Sequence, residues 1–278
     1  MRNLDEETIT QAVLERQVPT PDARLRHIMD SLVRHLHDFA REVELTEAEW
    51  FAGIEFLTAC GHITDEKRQE FILLSDVLGL SMLTVAMNQR KPTGCTEATV
   101  FGPFHVDGAP SYALGADISN GARGVPCEVR GRVRGIGGEP VPHALLDVWQ
   151  SDEDGLYDVQ HPGFDHAQAR GVLRADAQGG FNFRSILAVP YAIPDDGPVG
   201  ALLRATGRHP WRPAHLHFLI EAEGYETLIT HVFRSDGPYL DSDAVFGVRQ
   251  SLIAEWELQP DGSYLVEYDF VLNPATPA

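Results

Sequence analysis

A β-strand is predicted for the stretch Arg212-Pro213-Ala214-His215-Leu216-His217-Phe218-Leu219-Ile220, in which apolar residues surround two histidines two positions apart. Successive side chains on a strand point to opposite faces, so His215 and His217 leave the same face, roughly 6–7 Å apart at the backbone. Two imidazoles at that separation can reach one metal ion. The other face carries apolar side chains and indicates packing: Ala214, Leu216, Phe218 and Ile220.

The spacing of the two histidines is weak evidence by itself, because most histidines hold no metal. A second pair with the same spacing occurs at His35-Leu36-His37, where the surrounding apolar residues repeat at helical spacing. There the two rings diverge by about 200° around a helix axis and cannot share an ion. Two unrelated histidines therefore stay an open interpretation of His215 and His217 until further ligands are found.

The composition is that of a globular protein with an acidic surface. The chain has 278 residues, 43% of them hydrophobic, and 41 acids against 22 bases give a net charge of −19. Such a surface repels phosphate, so neither nucleic acid nor an anionic membrane is an expected partner. No apolar run reaches the roughly 18–20 residues of a membrane span. The charged N-terminal segment lacks a signal-peptide core, and Cys60, Cys95 and Cys127 form no disulfide framework, so we expect a cytoplasmic protein.

The first hundred residues are predicted to be helical. From Leu25 to Ala40, apolar residues recur every three or four positions, which is typical of an amphipathic helix. Thr46 and Glu49 form a capping-box pattern ahead of a second helix, which Gly61 can end. A third helix, Phe71–Met87, is apolar over much of its circumference. We expect it to be buried or to lie at a subunit contact.

The pattern changes near residues 92–105, after Lys91-Pro92-Thr93-Gly94 breaks the helical repeat. Short alternating runs then predict strands over Cys127–Val133, Ala144–Trp149, Phe181–Ile186, Ala214–Ile220, Thr227–Phe233 and Tyr264–Val271. Their spacing predicts an antiparallel β-sandwich with long functional loops, with one helix near Val245–Ile253 between the last strands. The fold class is therefore α+β, with a helical domain over residues 1–100 and a β-sandwich domain over residues 101–278.

Two tyrosines lie where they can bring oxygen ligands to the histidine pair. Tyr157 ends an acidic loop that follows a predicted strand, and Tyr191 lies in the stiff turn Pro190-Tyr191-Ala192-Ile193-Pro194. Most tyrosines pack half-buried with a hydrogen-bonded hydroxyl. Residue chemistry alone does not decide between that interpretation and metal binding.

Four segments of the chain resemble the intradiol ring-cleavage dioxygenases: Leu146–Tyr157, Pro190–Pro194, Gly207–Phe218 and Tyr239–Phe246. The resemblance extends over nearly the whole chain, including the helical N-terminal part. Within the family it is greatest to the branch that cleaves hydroxyquinol (benzene-1,2,4-triol), with the catechol-cleaving and chlorocatechol-cleaving branches next. These last two are the alternative substrate classes.

The resemblance implies one Fe(III) per subunit, held by Tyr157, Tyr191, His215 and His217. Ferric iron is a hard ion that hard oxygen anions stabilise, and it can draw the proton from a phenol whose ordinary pKa is about 10. Tyr191 is implied to be the ligand that leaves and accepts a substrate proton. Arg212 is implied to stabilise negative charge as the ring rearranges. Both atoms of O2 would enter hydroxyquinol to give 3-hydroxy-cis,cis-muconate, which tautomerises to maleylacetate.

By the same resemblance, a mostly apolar pocket should admit the substrate ring. The implied wall residues are Leu73, Asp76, Val100, Phe101, Gly102, Pro103, Phe104, Ile193, Pro194 and Val245. Asp76 is the polar exception, and the third hydroxyl of hydroxyquinol would give its carboxylate a partner. His231 stands where many catechol-cleaving relatives have a glutamine that supports the arginine; it can still donate or accept there. Its role as a fifth ligand is a weaker alternative.

The resemblance also implies a homodimer built on the N-terminal helices, often with phospholipid in an apolar tunnel. Two interpretations from other classes stay open at this point. In one, a non-catalytic sandwich uses His215 and His217 for zinc or for no ligand. In the other, the chain is a zinc hydrolase, although no third histidine stands at a suggestive spacing near the pair.

Overall fold

The computed structural model describes residues 2–66, 68–161, 163 and 166–275. The helices are α1 (Ile9–Gln17), α2 (Ala23–Glu42), α3 (Glu47–Ile63), α4 (Glu70–Val77), α5 (Leu80–Asn88) and α6 (Pro198–Ala205). The strands are β1 (Ser111–Tyr112), β2 (Pro126–Gly135), β3 (Leu145–Trp149), β4 (Arg170–Arg174), β5 (Gly180–Ile186), β6 (Tyr191–Ala192), β7 (Trp211–Arg212), β8 (His215–Glu221), β9 (Leu228–Arg234), β10 (Ile253–Ala254), β11 (Trp256–Leu258), β12 (Tyr264–Glu267) and β13 (Phe270–Leu272).

The described chain forms two compact units, one ending at Ala59 and the other beginning at Cys60. Every strand belongs to the second unit. The predicted domain boundary after residue 100 stays a prediction.

Polar side chains cap two of the N-terminal helices. The carboxylate of Asp22 accepts hydrogen bonds from the backbone of Arg24 and Leu25 at the start of α2. The capping box at α3 is confirmed, because Thr46 N donates to Glu49 Oε2 at 3.0 Å and Glu49 N donates to Thr46 Oγ1 at 3.3 Å. The helix runs two residues beyond Gly61, so the predicted end was too early.

The predicted third helix is two helices. Gly79, with φ of +74°, lies in the left-handed region between α4 and α5, and the two helix axes differ by 77°. The uniform apolar pattern concealed this break. In the part of the chain that the structure describes, no single helix is long and apolar enough to cross a membrane, and this bent pair passes that test only when its two helices are combined.

The strands form a sandwich whose sheets are mixed. One sheet has the order β1-β4-β3-β8-β9-β10, and the other has β11-β12-β2-β13 with β5 also on β2. The prediction of a strictly antiparallel sandwich is wrong, because β1/β4, β9/β10, β2/β12 and β2/β13 pair in parallel. Long connections return the chain to the sheet in the same direction, as between Arg234 and Ile253. Phe218 of the first sheet contacts Phe181 and Phe270 of the second, which places the apolar core between them.

Two predictions about the C-terminal half need correction. The predicted strand Tyr264–Val271 divides into β12 and β13, which pair with successive parts of β2. The predicted helix near Val245–Ile253 is an irregular loop with a short 3₁₀ turn, Gln250–Leu252. There the Asp243 carboxylate accepts from the backbone of Val245 and Gly247 and holds a non-helical loop. Helix α6 was not predicted.

Candidate metal centre

The two histidines of the opening motif lie on a central strand of the first sheet. His215 and His217 are on β8, between β3 and β9, and both side chains are buried. His217 pairs in register with His231 on β9 and with Trp149 on β3. The strand prediction for this stretch is therefore confirmed.

The two tyrosines reach the histidines from turns. Tyr191 is on the short strand β6 and pairs in register with Arg212 on β7. Tyr157 immediately precedes the 3₁₀ turn Asp158–Gln160, and its backbone N donates to Gln160 Oε1 at 2.9 Å. Both tyrosine side chains are buried.

The polar ends of these four side chains converge. His215 Nε2 lies 3.1 Å from His217 Nε2, and Tyr157 Oη lies 2.9 Å from the same His217 nitrogen. The Tyr157 and Tyr191 rings meet edge to face with centroids 5.4 Å apart. The Tyr191 hydroxyl and His215 Nε2 each lie 3.2 Å from Arg212 Nη1. The structure therefore brings together the four predicted ligands and Arg212.

Hydrogen bonds leave the lone pair of His215 facing the cluster. His215 Nδ1 lies 2.7 Å from the carbonyl oxygen of Pro213, which can only accept, so Nδ1 carries the proton and Nε2 is bare. Burial lowers the pKa of His215 to about 3, with the charge of Arg212 as the next cause. Burial also holds the pKa of His217 and of His231 well below the ordinary value. The next cause is the charge of His215 for His217 and the charge of His217 for His231. All three imidazoles are thus neutral, the form that binds metals.

Arg212 is a buried cation held by a buried acid. Its Nε and Nη2 donate to the two carboxylate oxygens of Asp243 at 3.0 and 3.3 Å. Burial acts to raise the pKa of Asp243, but the charge and hydrogen bonds of Arg212 outweigh it and the pKa lies below the ordinary value. The pair fixes the guanidinium so that Nη1 faces Tyr191 and His215.

Tyr157 is held by a second buried ion pair. Arg170 Nε donates to Asp158 Oδ2 at 2.6 Å, and Arg170 Nη2 donates to the carbonyl of Phe104 at 3.1 Å. The Phe104 ring stacks on the Tyr157 ring with centroids 4.5 Å apart. Burial and then neighbouring Tyr191 raise the pKa of Tyr157 well above its ordinary value, against the charges of Arg212 and Arg170.

The donor set fits a metal ion. His215 Nε2 and His217 Nε2 lie 3.1 Å apart, and a cation bound by both nitrogens would satisfy both lone pairs when neither nitrogen carries a proton. A spacing of about 3 Å is also what two ligands at right angles have when each bond is about 2.0–2.1 Å long. A phenol in such a site loses its proton to the ion despite burial. Two phenol oxygens and two imidazole nitrogens suit a hard, highly charged cation.

Models of two known protein families match the chain in tandem. "Catechol dioxygenase N terminus" matches residues 22–96, and "Dioxygenase" matches residues 100–274. Because the second match alone covers more than half of the chain, it decides the family. The chain belongs to the intradiol ring-cleavage dioxygenases.

Relatives of this dioxygenase are similar along their whole length. A 6-chlorohydroxyquinol 1,2-dioxygenase of Cupriavidus pinatubonensis is 67% identical over 274 residues, which are 99% of each chain. A hydroxyquinol 1,2-dioxygenase of Nocardioides simplex is 50% identical over 282 residues, covering 97% of this chain and 96% of the relative. The solved hydroxyquinol 1,2-dioxygenase of Pseudomonas putida DLL-E4 superposes with a TM-score of 0.91 at 48% identity, over 97% and 99% of the two chains.

Half of the residues predicted for the pocket wall of the dioxygenase line one cleft. Its volume is about 480 Å³, and its lining includes Leu73, Pro103, Phe104, Ile193 and Pro194. The other five predicted wall residues, Asp76, Val100, Phe101, Gly102 and Val245, are not in that lining. Phe104 links the cleft to the metal centre, because its ring stacks on Tyr157.

Phe101 and Gly102 are instead connected to the His217 ring, and Asp76 on α4 is within range of the charges of Arg212 and Asp243. A side chain on Gly102 would put its Cβ 3.2 Å from His217 Cε1, so this backbone lies close to the ring of the predicted ligand. Asp76 follows Leu73 by three positions on α4, so the two share a helix face, and the charges of Arg212 and Asp243 act on Asp76. Phe101 contacts Trp149, whose ring stacks on His217.

Several residues that support the predicted ligands were not predicted from the sequence. Asp243 is the buried partner of Arg212, and Thr99 is hydrogen-bonded to His231. Arg170 donates to the carbonyl of Phe104 and is paired with Asp158. Asp158 could have been suspected, since it directly follows Tyr157. Arg170 and Thr99 carry no local signal, because only the pairing of strands brings them near the centre.

Proposed function

We propose that this dioxygenase cleaves hydroxyquinol between its two adjacent hydroxylated carbons, adding both atoms of O2 to give 3-hydroxy-cis,cis-muconate, the tautomer of maleylacetate. The convergence of two phenol oxygens and two imidazole nitrogens in a buried site carries the proposal. The names of the Cupriavidus and Nocardioides relatives support the choice of a hydroxyquinol as substrate.

The cofactor of the proposed reaction is one Fe(III) per subunit, bound by Tyr157, Tyr191, His215 and His217. The hard phenol oxygens support ferric iron over softer ions, and neutral imidazole is also a suitable iron ligand. When bound, the iron withdraws electron density from a chelated aromatic diol and so opens its ring to O2.

Three side chains have distinct parts in this proposal. Tyr191 accepts a proton from a substrate hydroxyl, since its own hydroxyl already lies 3.2 Å from the guanidinium that would stabilise its charged form. Arg212 stabilises the negative charge that develops on the ring oxygens; Asp243 keeps it in place at 3.0 Å. His231 orients His217 from behind, at 2.8 Å between ring nitrogens.

The proposed pocket wall comprises the residues implied by the resemblance, with Asp76 as the residue that selects the third hydroxyl. Burial raises the pKa of Asp76, which the Ser81 hydrogen bond and then the charge of Arg212 oppose. Plain catechol leaves this buried carboxyl without a partner in the pocket, which disfavours catechol. A second candidate substrate is 6-chlorohydroxyquinol, favoured by the name of the 67% identical relative.

Oxygen uptake by iron-loaded protein tests the substrate assignment. Hydroxyquinol, 6-chlorohydroxyquinol, catechol and 4-chlorocatechol are compared side by side, with product identified by its ultraviolet spectrum. We expect specificity constants at least about 10-fold higher for the two triols than for the two diols. Equal or higher values for catechol would overturn the hydroxyquinol assignment in favour of catechol 1,2-dioxygenase activity.

The visible spectrum tests the metal assignment independently of turnover. Tyrosinate bound to ferric iron absorbs visible light, so the loaded protein should be reddish brown. Zinc-loaded protein is colourless and serves as the control. Colourless protein with one iron per chain would exclude the tyrosine ligands, and protein that retains zinc in preference to iron would exclude the iron enzyme.

The proposed assembly is a homodimer through the helical N-terminal part, with phospholipid in the apolar contact. Helix α2 has no buried residue, and six of its apolar side chains are exposed: Leu25, Ile28, Met29, Leu32, Leu36 and Phe39. An apolar surface of this extent is typical of an interaction site. Organic extraction and mass spectrometry of purified protein test for bound lipid. Absence of lipid would contradict the proposal of a bound phospholipid but not the proposal of a dimer.

A further inference from the structure

We propose that Thr99 positions His217 through His231, so that a hydroxyl outside the metal centre sets how tightly the centre holds its ion. This inference rests on the proposed iron site. Thr99 Oγ1 lies 3.0 Å from His231 Nδ1, and His231 Nε2 lies 2.8 Å from His217 Nδ1. The opposite nitrogen of His217 faces the phenol of Tyr157 at 2.9 Å. A continuous row of hydrogen bonds thus runs from Thr99 to the centre.

The protons in this row of hydrogen bonds have two possible arrangements. Only one of them leaves His217 Nε2 without a proton and therefore able to bind a metal. If His217 Nδ1–H donates to His231, then His231 Nδ1–H donates to Thr99 and His217 Nε2 is bare. If His231 donates to His217 instead, His217 Nε2 carries a proton and cannot bind a metal. The Thr99 hydroxyl can accept or donate, so it supports the metal-binding arrangement only by accepting from His231.

Other contacts leave His217 little freedom apart from this row. Its ring stacks on Trp149 at 4.7 Å and 14°, and the backbone of Gly102 lies against Cε1. Because packing confines the plane of the ring, the hydrogen bond at Nδ1 decides which nitrogen is protonated and fixes the ring within that plane.

Thr99 is itself firmly placed. Its backbone N donates to Ile229 O at 3.0 Å, and the Thr230 hydroxyl donates to Glu97 O at 2.7 Å. These bonds attach the segment before Gly102 to β9, the strand that carries His231. Only 2% of the Thr99 surface is exposed, so no water replaces its hydroxyl cheaply.

The test compares Thr99→Val, which keeps the shape and removes the hydroxyl, with Thr99→Ser, which restores it. Thr96→Val is the matched control, because Thr96 is also buried and its hydroxyl accepts from Val271 N at 2.8 Å, away from the histidines. Protein is loaded with iron(III) citrate, and iron loss to EDTA is followed together with the iron-induced rise in Tm. We expect Thr99→Val to weaken iron retention about 10-fold or more, as is typical of such outer partners. Thr99→Ser and Thr96→Val should retain iron like the wild type.

A double-mutant cycle with His231→Gln separates positioning from loss of stability. If Thr99 acts through His231, Thr99→Val should have little added effect on iron retention in the His231→Gln background. Equal effects in both backgrounds, or equal effects of Thr99→Val and Thr96→Val, would overturn the inference. If Thr99→Val fails to fold, Thr99→Ala removes the same hydroxyl and gives the same comparison in the two backgrounds. Failure of wild-type protein to retain iron would instead overturn the proposed function.

Discussion

At the scale of single residues, Asp76 is a buried acid that forms no ion pair among the residues that the structure describes. It is 4% exposed, and burial raises its pKa despite the Ser81 hydrogen bond. By contrast, Asp243 is equally buried but paired with Arg212 at 3.0 Å, and its pKa is lowered. Arg212 is thus the partner of Asp243 within the fold, whereas the partner proposed for Asp76 is the third hydroxyl of the substrate.

Replacement of Asp76 by alanine should narrow the preference for hydroxyquinol. We expect the ratio of specificity constants for hydroxyquinol over catechol to fall by about 10-fold, because the third hydroxyl then loses its buried partner. Steady-state oxygen uptake with both substrates measures the ratio. Asp195→Ala is the control, since Asp195 lines the cleft but is exposed, and the ratio should not change. An unchanged ratio in Asp76→Ala would remove Asp76 from substrate selection.

At the scale of elements, the division of the last predicted strand has a clear cause. Where β12 ends and β13 begins, Tyr268 N donates to Arg130 O at 3.0 Å and Arg132 N donates to Asp269 Oδ1 at 2.8 Å. Between these bonds, an ideal Cβ on Gly131 would lie 1.8 Å from the carbonyl oxygen of Tyr268. Gly131 therefore allows two strands to share one edge of β2.

Alanine at Gly131 should destabilise the sandwich strongly. The added methyl group cannot be accommodated without moving the backbone of Tyr268, so we expect a loss of about 3 kcal/mol or more in the free energy of unfolding. Urea denaturation of the metal-free protein measures it. Gly53→Ala in α3 is the matched control; with open space around its Cβ it should be neutral or stabilising by about 0.5–1 kcal/mol. Similar effects of the two substitutions would contradict this account.

At the scale of the whole molecule, the buried histidines make the metal-free protein sensitive to mild acid. In the unfolded chain a histidine binds a proton below about pH 6.5. In the folded protein burial lowers the pKa of His215 to about 3 and that of His217 and His231 well below the ordinary value. Because the unfolded state then binds more protons, this stability is complete above about pH 6.5 and is lost as pH falls.

In the metal-free protein, each of these histidines should therefore lower the free energy of unfolding by up to about 1.4 kcal/mol for each pH unit below pH 6.5. Urea midpoints at pH 7.5, 6.5 and 5.5 measure the slope, in a range where ordinary carboxylates stay charged. The His231→Gln substitution should lower the slope of the unfolding free energy against pH by roughly a third, because one of the three buried histidines is removed. A slope that is the same in this variant would contradict the prediction.

The exposed apolar face of α2 predicts that a charge introduced there will change the oligomeric state. Glutamate in place of Leu32, which is 46% exposed, introduces a charge that an apolar contact between copies must desolvate. We expect the variant to be monomeric by light scattering at concentrations where the wild type is a dimer. Leu258→Glu is the control, because Leu258 is a 65% exposed leucine on β11, far along the chain from the helices. A monomeric wild type, or a dimeric Leu32→Glu, would contradict the proposed interface.

The sequence was most informative where chemistry depends on local spacing. Strand alternation placed His215 and His217 on one face, and the turn around Tyr191 followed from its prolines. The break at Gly79 and the parallel pairs were missed, because apolar composition does not report helix direction or which strand edge a returning segment will meet. Thr99 and Arg170 act through partners 132 and 12 residues away, and no local pattern indicates such a contact. The ligand set itself came from the family resemblance, since spacing alone left it open.

The four predicted ligands are anchored unequally. His215 and His217 belong to a seven-residue strand in the middle of a six-stranded sheet, whereas Tyr191 is on a strand of two residues and Tyr157 is on a loop. Mutations in these turns can therefore change which aromatic substrates enter the site, while the two histidines on the central strand keep their positions. Proteins that evolve from this scaffold can therefore acquire a new substrate range without having to evolve a new metal-binding site.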